Sequence, residues 1–333
     1  MPLVLLITCL FGKCNRLAIF FIAAIVNIVY SVYKVYILLL GGSNMKNIVA
    51  FKNVTKSFNG FAIKNMNLTI KKGEITGFIG ANGAGKSTTI KLIMNLLQPD
   101  TGEVTVFGQQ YAHHEKAIKE RIGFVYDNNI FYKDLHIKDI RRIVAPAYQS
   151  WDNELFNQYI KLFELPTNKA VQTFSKGMQM KVSLAMALSH KAEFILMDEP
   201  TAGLDPVFRR ELLDILQEIV SDGERSIFFS THITSDLERI ADRVAFIQKG
   251  ELLFTDTKEN IMQNYALVKG ATSLLHDEVN ACLISIRQQG NHFEALTNRT
   301  DQLAQLLGHQ VQLEKVSLED IIFYAKGGKT LYV

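Results

Sequence analysis

The chain has 333 residues, with 36 basic against 33 acidic side chains and a formal net charge of +3, a length that fits one large domain or a large domain with a small companion. Hydrophobic residues at 48% and charged residues at 21% exclude a largely disordered or fibrous chain, and so small an excess of charge gives no argument for a nucleic-acid coat. The cysteines Cys9, Cys14 and Cys282 exclude a disulfide framework and a four-cysteine zinc site and point to a reducing, intracellular compartment.

The positive excess is local. Residues 1–44 hold Lys13, Arg16 and Lys34 and no acid, so the remainder of the chain is neutral overall. Leu17–Leu40 is mostly apolar, interrupted by Asn27, Ser31 and Lys34, and is long enough to span a bilayer. Two readings stay open: a membrane anchor, or translated upstream sequence before a true start at Met45. An anchor that kept the following domain in the cytosol would place Lys13 and Arg16 outside, against the positive-inside tendency. Gly41-Gly42 can be encoded by a ribosome-binding-like string, and the first patterned segment begins just after Met45.

From Ile48 short apolar runs alternate with helical stretches, as in α/β folds. Ile48–Phe51 and Phe61–Ile70 predict strands around a turn at Asn59-Gly60. Ile75–Ile79 reads as a buried strand, followed by a glycine-rich loop and a helix over Lys86–Leu97. Residues 137–164 carry helical spacing, with Leu155, Phe156, Tyr159, Ile160 and Phe163 on one face. Lys176–Ser189 predicts a second helix, Phe194–Met197 a buried strand, Val207–Val220 a helix, and Ile227–Phe229 and Val244–Ile247 further strands. Gly250 leads a hairpin into Leu252–Phe254. Beyond about residue 266 the pattern weakens: a helix over 274–289, a strand Phe293–Leu296, a helix over 300–307 and an apolar run Val316–Tyr324 suggest a small α/β extension that serves packing or dimer contact.

Gly80-Ala81-Asn82-Gly83-Ala84-Gly85-Lys86-Ser87 fits a phosphate-binding loop between a strand and a helix. Glycines let backbone amides turn inward around a polyphosphate, the helix N-terminus adds partial positive charge, Lys86 reaches the β- and γ-phosphates, and Ser87 ligates Mg²⁺; Thr88 continues the phosphate-binding set. A domain that binds ATP belongs in the cytosol, which sets aside an export signal for residues 1–44. Phe194–Met197 ends in Asp198-Glu199. Asp198 is placed to join the Mg²⁺ shell and Glu199 to act as the general base on the attacking water.

Phe174-Ser175-Lys176-Gly177-Met178-Gln179 resembles the LSGGQ signature of ATP-binding-cassette proteins. Phosphate loop, signature, acidic strand and a later histidine recur in that family's order over about 46–265. The resemblance implies a P-loop NTPase cassette, with a RecA-like α/β core, an antiparallel β edge and a helical subdomain. It also implies a head-to-tail dimer that sandwiches two ATP molecules between the phosphate loop of one subunit and Ser175 and Gly177 of the other. By the same resemblance Phe58 stacks on adenine, Asp205 in Ala202-Gly203-Leu204-Asp205 couples the two sites, and His232 is the switch histidine facing the γ-phosphate. Asp127 stands where most relatives carry glutamine at the Q-loop; it can ligate Mg²⁺, but it repels the γ-phosphate more than an amide does. Lys176 and Met178 depart from the signature pattern.

The expected organisation is therefore an apolar segment 1–44, an ATP-binding domain 45–265 with a helical subdomain at about 128–180, and a C-terminal extension 266–333. No permease domain follows the cassette, so transport calls for separate membrane subunits, which would hold the chain at the cytoplasmic face of the membrane. A single cassette without inserted heptads speaks against ribosome-acting and chromosome-acting relatives, and no nucleic-acid partner is expected. The signature, Asp127 and the closing Val316-Ser317-Leu318-Glu319-Asp320-Ile321-Ile322 look like ATPase subunits of Gram-positive ABC-2-type exporters of peptides and antibiotics. The alternative is a soluble cassette ATPase that acts on the ribosome or nucleic acid without a permease.

Overall fold

The computed structural model describes residues 47–125 and 134–325. The apolar segment 1–44 and Asp127 lie outside these residues. The chain opens with β1 (Asn47–Phe58), β2 (Phe61–Met66), β3 (Thr69–Lys71) and β4 (Ile75–Ile79), then α1 (Lys86–Ile93), β5 (Thr101–Val106), α2 (Tyr111–Glu120) and β6 (Ile122–Val125). A helical region follows, with α3 (Ile137–Val144), α4 (Asn153–Leu162) and α5 (Lys176–Ser189). The core resumes with β7 (Phe194–Asp198), α6 (Pro206–Val220), β8 (Ser226–Thr231), α7 (Thr234–Ile240), β9 (Arg243–Gln248), β10 (Glu251–Thr257) and α8 (Lys258–Asn264).

The central sheet runs β10-β9-β4-β8-β7-β6. β9, β4, β8, β7 and β6 are mutually parallel, and β10 pairs antiparallel with β9. Every residue of β4 and β8 is buried, as a parallel sheet covered on both faces requires. Side chains of β7 alternate: Phe194 and Leu196 enter the core shared with the antiparallel sheet and α1, while Ile195 and Met197 enter the core built with α5, α6 and α7. The period of two thus divides one apolar run between two cores. In the second sheet the long β1 pairs antiparallel with β2, β3 and β5. Among the described residues no helix is long and apolar enough to cross a membrane.

Residues 266–325 form β11 (Ala266–Ala271), α9 (Asp277–Asn280), β12 (Leu283–Gln289), β13 (His292–Thr297), α10 (Thr300–Leu307), β14 (Gln312–Lys315) and α11 (Leu318–Ala325). Their sheet, ordered β12-β13-β11-β14, has a small core of its own around Val268, Phe293, Ala295 and Leu303. Leu267, Leu296, Leu318, Ile321 and Ile322 instead join the same core as Leu237 and Ile240 of α7.

Four sequence expectations shift. The helix expected over 274–289 is mostly strand β12, because Gly290-Asn291 closes a two-residue hairpin that pairs Gln289 with His292, and that turn signal outweighs the helical spacing before it. The strand expected over Phe61–Ile70 divides into β2 and β3, with Asn65 at φ 43° just before the break. The helix from Lys86 ends at Ile93 rather than Leu97, and Asn95 at φ 57° turns the chain away. The stretch 137–164 is two helices, parted around Pro146; Asp152 starts the second by accepting from the N–H groups of Glu154 and Leu155 at 3.0 Å.

Candidate active site

The phosphate loop leaves β4 after Ile79 and enters α1 at Lys86. Gly83 and Gly85 sit at φ 78° and 115°, in the left-handed region that favours glycine. Space demands it as well: a Cβ on Gly85 would stand 2.6 Å from Ile63 Cδ1, and one on Gly80 would stand 2.6 Å from the Ile247 carbonyl oxygen. Ala84 is buried under the loop, while Asn82, Gly83 and Ser87 are exposed and Thr88 is half-buried. No side chain caps α1 and no acid stands in its first turn. Its leading N–H groups therefore face outward with their partial positive charge. Lys86, only 6% exposed, donates to the Gly80 carbonyl at 2.8 Å and lies 3.0 Å from Glu199 Oε1.

Glu199 and His232 follow β7 and β8 directly, at the same end of the sheet as the phosphate loop, and β8 lies between β4 and β7. Chemistry in open α/β sheets gathers at this edge, outside the carboxyl ends of the strands. Nδ1 of His232 donates to Glu199 Oε2 at 2.8 Å. Oε1 is buried and paired with the Lys86 ammonium at 3.0 Å. Ser230, not singled out by the sequence reading, is the brace of this edge: its hydroxyl donates to Asp198 Oδ1 at 2.6 Å and accepts from the Glu199 N–H at 3.0 Å. Glu199 itself holds φ 49°, an uncommon conformation for a residue with a Cβ.

Phe58 ends β1, is 43% exposed and faces Phe61 across the hairpin with ring centroids 6.3 Å apart. Ser175 is the exposed cap of α5, accepting from the Met178 N–H at 3.2 Å. Gly177 is buried against the Phe208 ring, where a Cβ would come within 2.6 Å. Asp205 caps α6 through the N–H groups of Val207 and Phe208 at 3.1 and 3.0 Å. Lys176 donates to the Ala202 carbonyl at 2.6 Å, so the start of α5 and the Ala202–Asp205 turn are tied together. Phosphate loop, Asp198, Glu199 and His232 thus form one cluster at the sheet edge, and Ser175, Gly177 and Asp205 gather around the starts of α5 and α6. No local sequence signal marks Ser230: its partner Asp198 is brought beside it by the β7–β8 pairing.

The donors present fit a nucleoside triphosphate. Loop amides, an open helix N-terminus and one ammonium match a polyphosphate, and the Glu199 carboxylate stands at the same edge, 3.0 Å from that ammonium. Ser87 and Asp198 offer the hard oxygens that Mg²⁺ uses alongside phosphate oxygens.

This arrangement, a phosphate loop set beside an acidic strand tip and a histidine on a parallel sheet with an antiparallel edge and a helical insert, defines a P-loop ATPase of the cassette type. The family model described as ABC transporter matches residues 63–202. The bacitracin transport ATP-binding protein BcrA of Bacillus licheniformis is 32% identical, over 63% of this chain and 69% of that protein. The uncharacterized ABC transporter ATP-binding protein YhcH of Bacillus subtilis is 35% identical, over 66% and 74% of the two chains. The dimeric, post-hydrolysis structure of the ATP-binding cassette MJ0796 bound to ADP and Pi superposes with a TM-score of 0.56 at 26% identity, over 63% of this chain and 98% of that one. The chain belongs to the ABC transporter family, as an ATP-binding, ATP-hydrolysing subunit.

Proposed function

We propose that this chain powers efflux of a peptide, antibiotic or other amphipathic substrate through separate ABC-2-type membrane subunits, which hold it at the cytoplasmic face of the membrane. Two cassettes, identical or paired with a relative, close on two ATP molecules. Loop amides from Gly80 to Gly85, with Asn82 and Ala84, wrap the phosphates; Lys86 neutralises the β- and γ-phosphate oxygens, and Thr88 adds a hydroxyl at the helix start. Ser87 and Asp198 would hold Mg²⁺, which would supply charge stabilisation to the phosphoryl oxygens. Phe58 supports the adenine. Ser175, the Gly177 amide and the start of α5 meet the γ-phosphate of the opposite subunit, and Asp205 lies on the same face.

Glu199 takes the proton of the attacking water, and His232 keeps its carboxylate aimed. The observation that carries the hydrolytic part is the convergence of Lys86 and His232 on one carboxylate, at 3.0 and 2.8 Å. The export part rests on the likeness to a bacitracin transport protein. Asp127 is proposed to slow or retune hydrolysis through its added negative charge near Mg²⁺ and phosphate, which an Asp127→Gln comparison of turnover tests.

The testing experiment is a gentle-detergent pulldown of the tagged chain from the membranes of its own cell. A co-purifying polytopic protein of the ABC-2 type supports the reading. Recovery of ribosomal proteins alone would favour a soluble cassette ATPase and sink the export reading.

A further inference from the structure

Asp236 is a charged side chain with no place in the motifs, yet it is only 1% exposed. It lies in the first turn of α7, four residues after His232. Its Oδ2 accepts from the Thr201 hydroxyl at 2.6 Å, and its Oδ1 accepts from Arg209 Nε at 2.7 Å in an ion pair that also brings Nη2 within 2.7 Å. Nη2 also donates to Ser235 Oγ at 2.8 Å. Thr201, itself 1% exposed, follows Glu199 by two residues. Arg209 stands on the first turn of α6, directly behind the cap Asp205. The buried carboxylate therefore ties together three segments: the one after β7 that carries Glu199, the one after β8 that carries His232, and the turn that ends in Asp205.

A buried charge is retained only when it is fully paired, and losing one partner leaves the rest unsatisfied. The location also has a task to perform. Glu199 is held at φ 49°, a conformation the surroundings must enforce. Upstream its N–H is held by Ser230 through the carbonyl and the hydroxyl, at 3.2 and 3.0 Å. Downstream the tight turn from Glu199 to Ala202, closed by an N–H to carbonyl bond of 3.1 Å, has its fixed point at Thr201 on Asp236.

We propose that Asp236, acting with Thr201 and Arg209, is a positioning residue for ATP hydrolysis: it sets the separation of Glu199 from His232 and the pose of the Ala202–Asp205 turn. Its hydrogen bonds and ion pair go to Thr201 and Arg209 and not to the phosphate loop, so its effect falls on the chemical step and not on nucleotide capture. The proposal rests on Glu199 being the general base.

The test compares Asp236→Asn, Thr201→Val, Thr201→Ser and Glu199→Gln in the full-length chain. Steady-state ATPase rates, equilibrium binding of a fluorescent ATP analogue and thermal melting are measured on each. Asp236→Asn is expected to lower kcat by about ten-fold or more, the scale of a small misplacement of reacting groups, with KM and analogue affinity within about two-fold of the parent. Thr201→Val follows in the same direction, and Thr201→Ser, which keeps the hydroxyl, recovers most of the rate. A folded Asp236→Asn with parental kcat overturns the proposal, as does a fall in kcat matched by lost analogue binding. If Asp236→Asn fails to fold, the Thr201 pair decides: equal rates for valine and serine overturn it. Glu199→Gln separates the two readings. Parental turnover there removes the general base itself, whereas a dead Glu199→Gln beside an unaffected Asp236→Asn refutes only the positioning role.

Discussion

Nδ1 of His232 donates to Oε2 of Glu199 at 2.8 Å, while Oε1 of the same carboxylate stands 3.0 Å from the Lys86 ammonium. One acid therefore joins the segments that follow three neighbouring strands, β4, β7 and β8, and its two oxygens are held apart by different partners. Replacing it by glutamine keeps the shape and removes the proton acceptor. Glu199→Gln is expected to lower ATP turnover by about 10²–10⁴-fold while nucleotide binding persists and the ATP-bound dimer accumulates on size exclusion. Lys86→Ala is expected to do the opposite and lose nucleotide affinity. Parental turnover by Glu199→Gln would remove Glu199 from the chemistry.

Gly177 meets the Phe208 ring with no room for a methyl group. Gly177→Ala is expected to destabilise the chain by about 1–3 kcal/mol, the range for overpacking a closed contact. The double variant Gly177→Ala with Phe208→Leu should regain part of that loss. Thermal melting of the two variants checks this, and an unchanged midpoint for Gly177→Ala would show that the ring moves aside freely.

His190 is buried, stacks on Tyr148 at 3.8 Å between centroids and donates from Nδ1 to the Glu120 carbonyl at 3.1 Å. Burial pulls its pKa below the ordinary imidazole value and outweighs the nearby Glu120 charge. The unfolded chain then binds a proton near pH 6.5 that the folded chain refuses. Stability from this group is present above that pH and declines as the pH falls below it. The melting midpoint should drop between pH 7 and pH 5, and His190→Phe, which keeps a flat ring against Tyr148, should show a shallower drop. Equal slopes would place the acid sensitivity elsewhere.

Phe58 is exposed and leans on the Phe61 ring. Phe58→Ala is expected to weaken ATP binding by roughly 3–10-fold, equivalent to the about 0.5–1.5 kcal/mol of an aromatic stacking contact, with little effect on melting. Phe58→Trp should hold affinity. An ATP affinity indifferent to both changes would leave Phe58 a hairpin residue only.

The catalytic edge was legible because short-range chemistry wrote it. Gly80–Ser87 between an apolar strand and a helix, and Asp198-Glu199 at the end of another, are contiguous strings whose residue types the chemistry dictates. Ser230, Thr201, Arg209 and Asp236 are not contiguous. Each is an ordinary polar residue whose role arises only when parallel pairing brings the ends of β7 and β8 together, a relation no local pattern encodes. The stretch expected as a helix over 274–289 differs for another reason: Leu283–Gln289 carries apolar residues compatible with either period, and the decisive signal is the small Gly290-Asn291 turn beyond it. The breaks near Asn65 and Asn95 likewise depend on single asparagines at positive φ, which composition averages over.

The last helix, α11, does not stop at its own sheet. Leu318, Ile321 and Ile322 share a core with Leu237 and Ile240 of α7, and the Leu318 N–H donates to Glu238 Oε1 at 2.9 Å. The helix that begins two residues after His232 is thus roofed by the far end of the chain. The shared core couples the two parts, and a single calorimetric transition is the expected outcome. A chain shortened to residue 265 would bare the side of α7 that Leu318, Ile321 and Ile322 cover, so a cassette exchanged between relatives is better cut beyond Ala325 than at the end of its ATPase sheet.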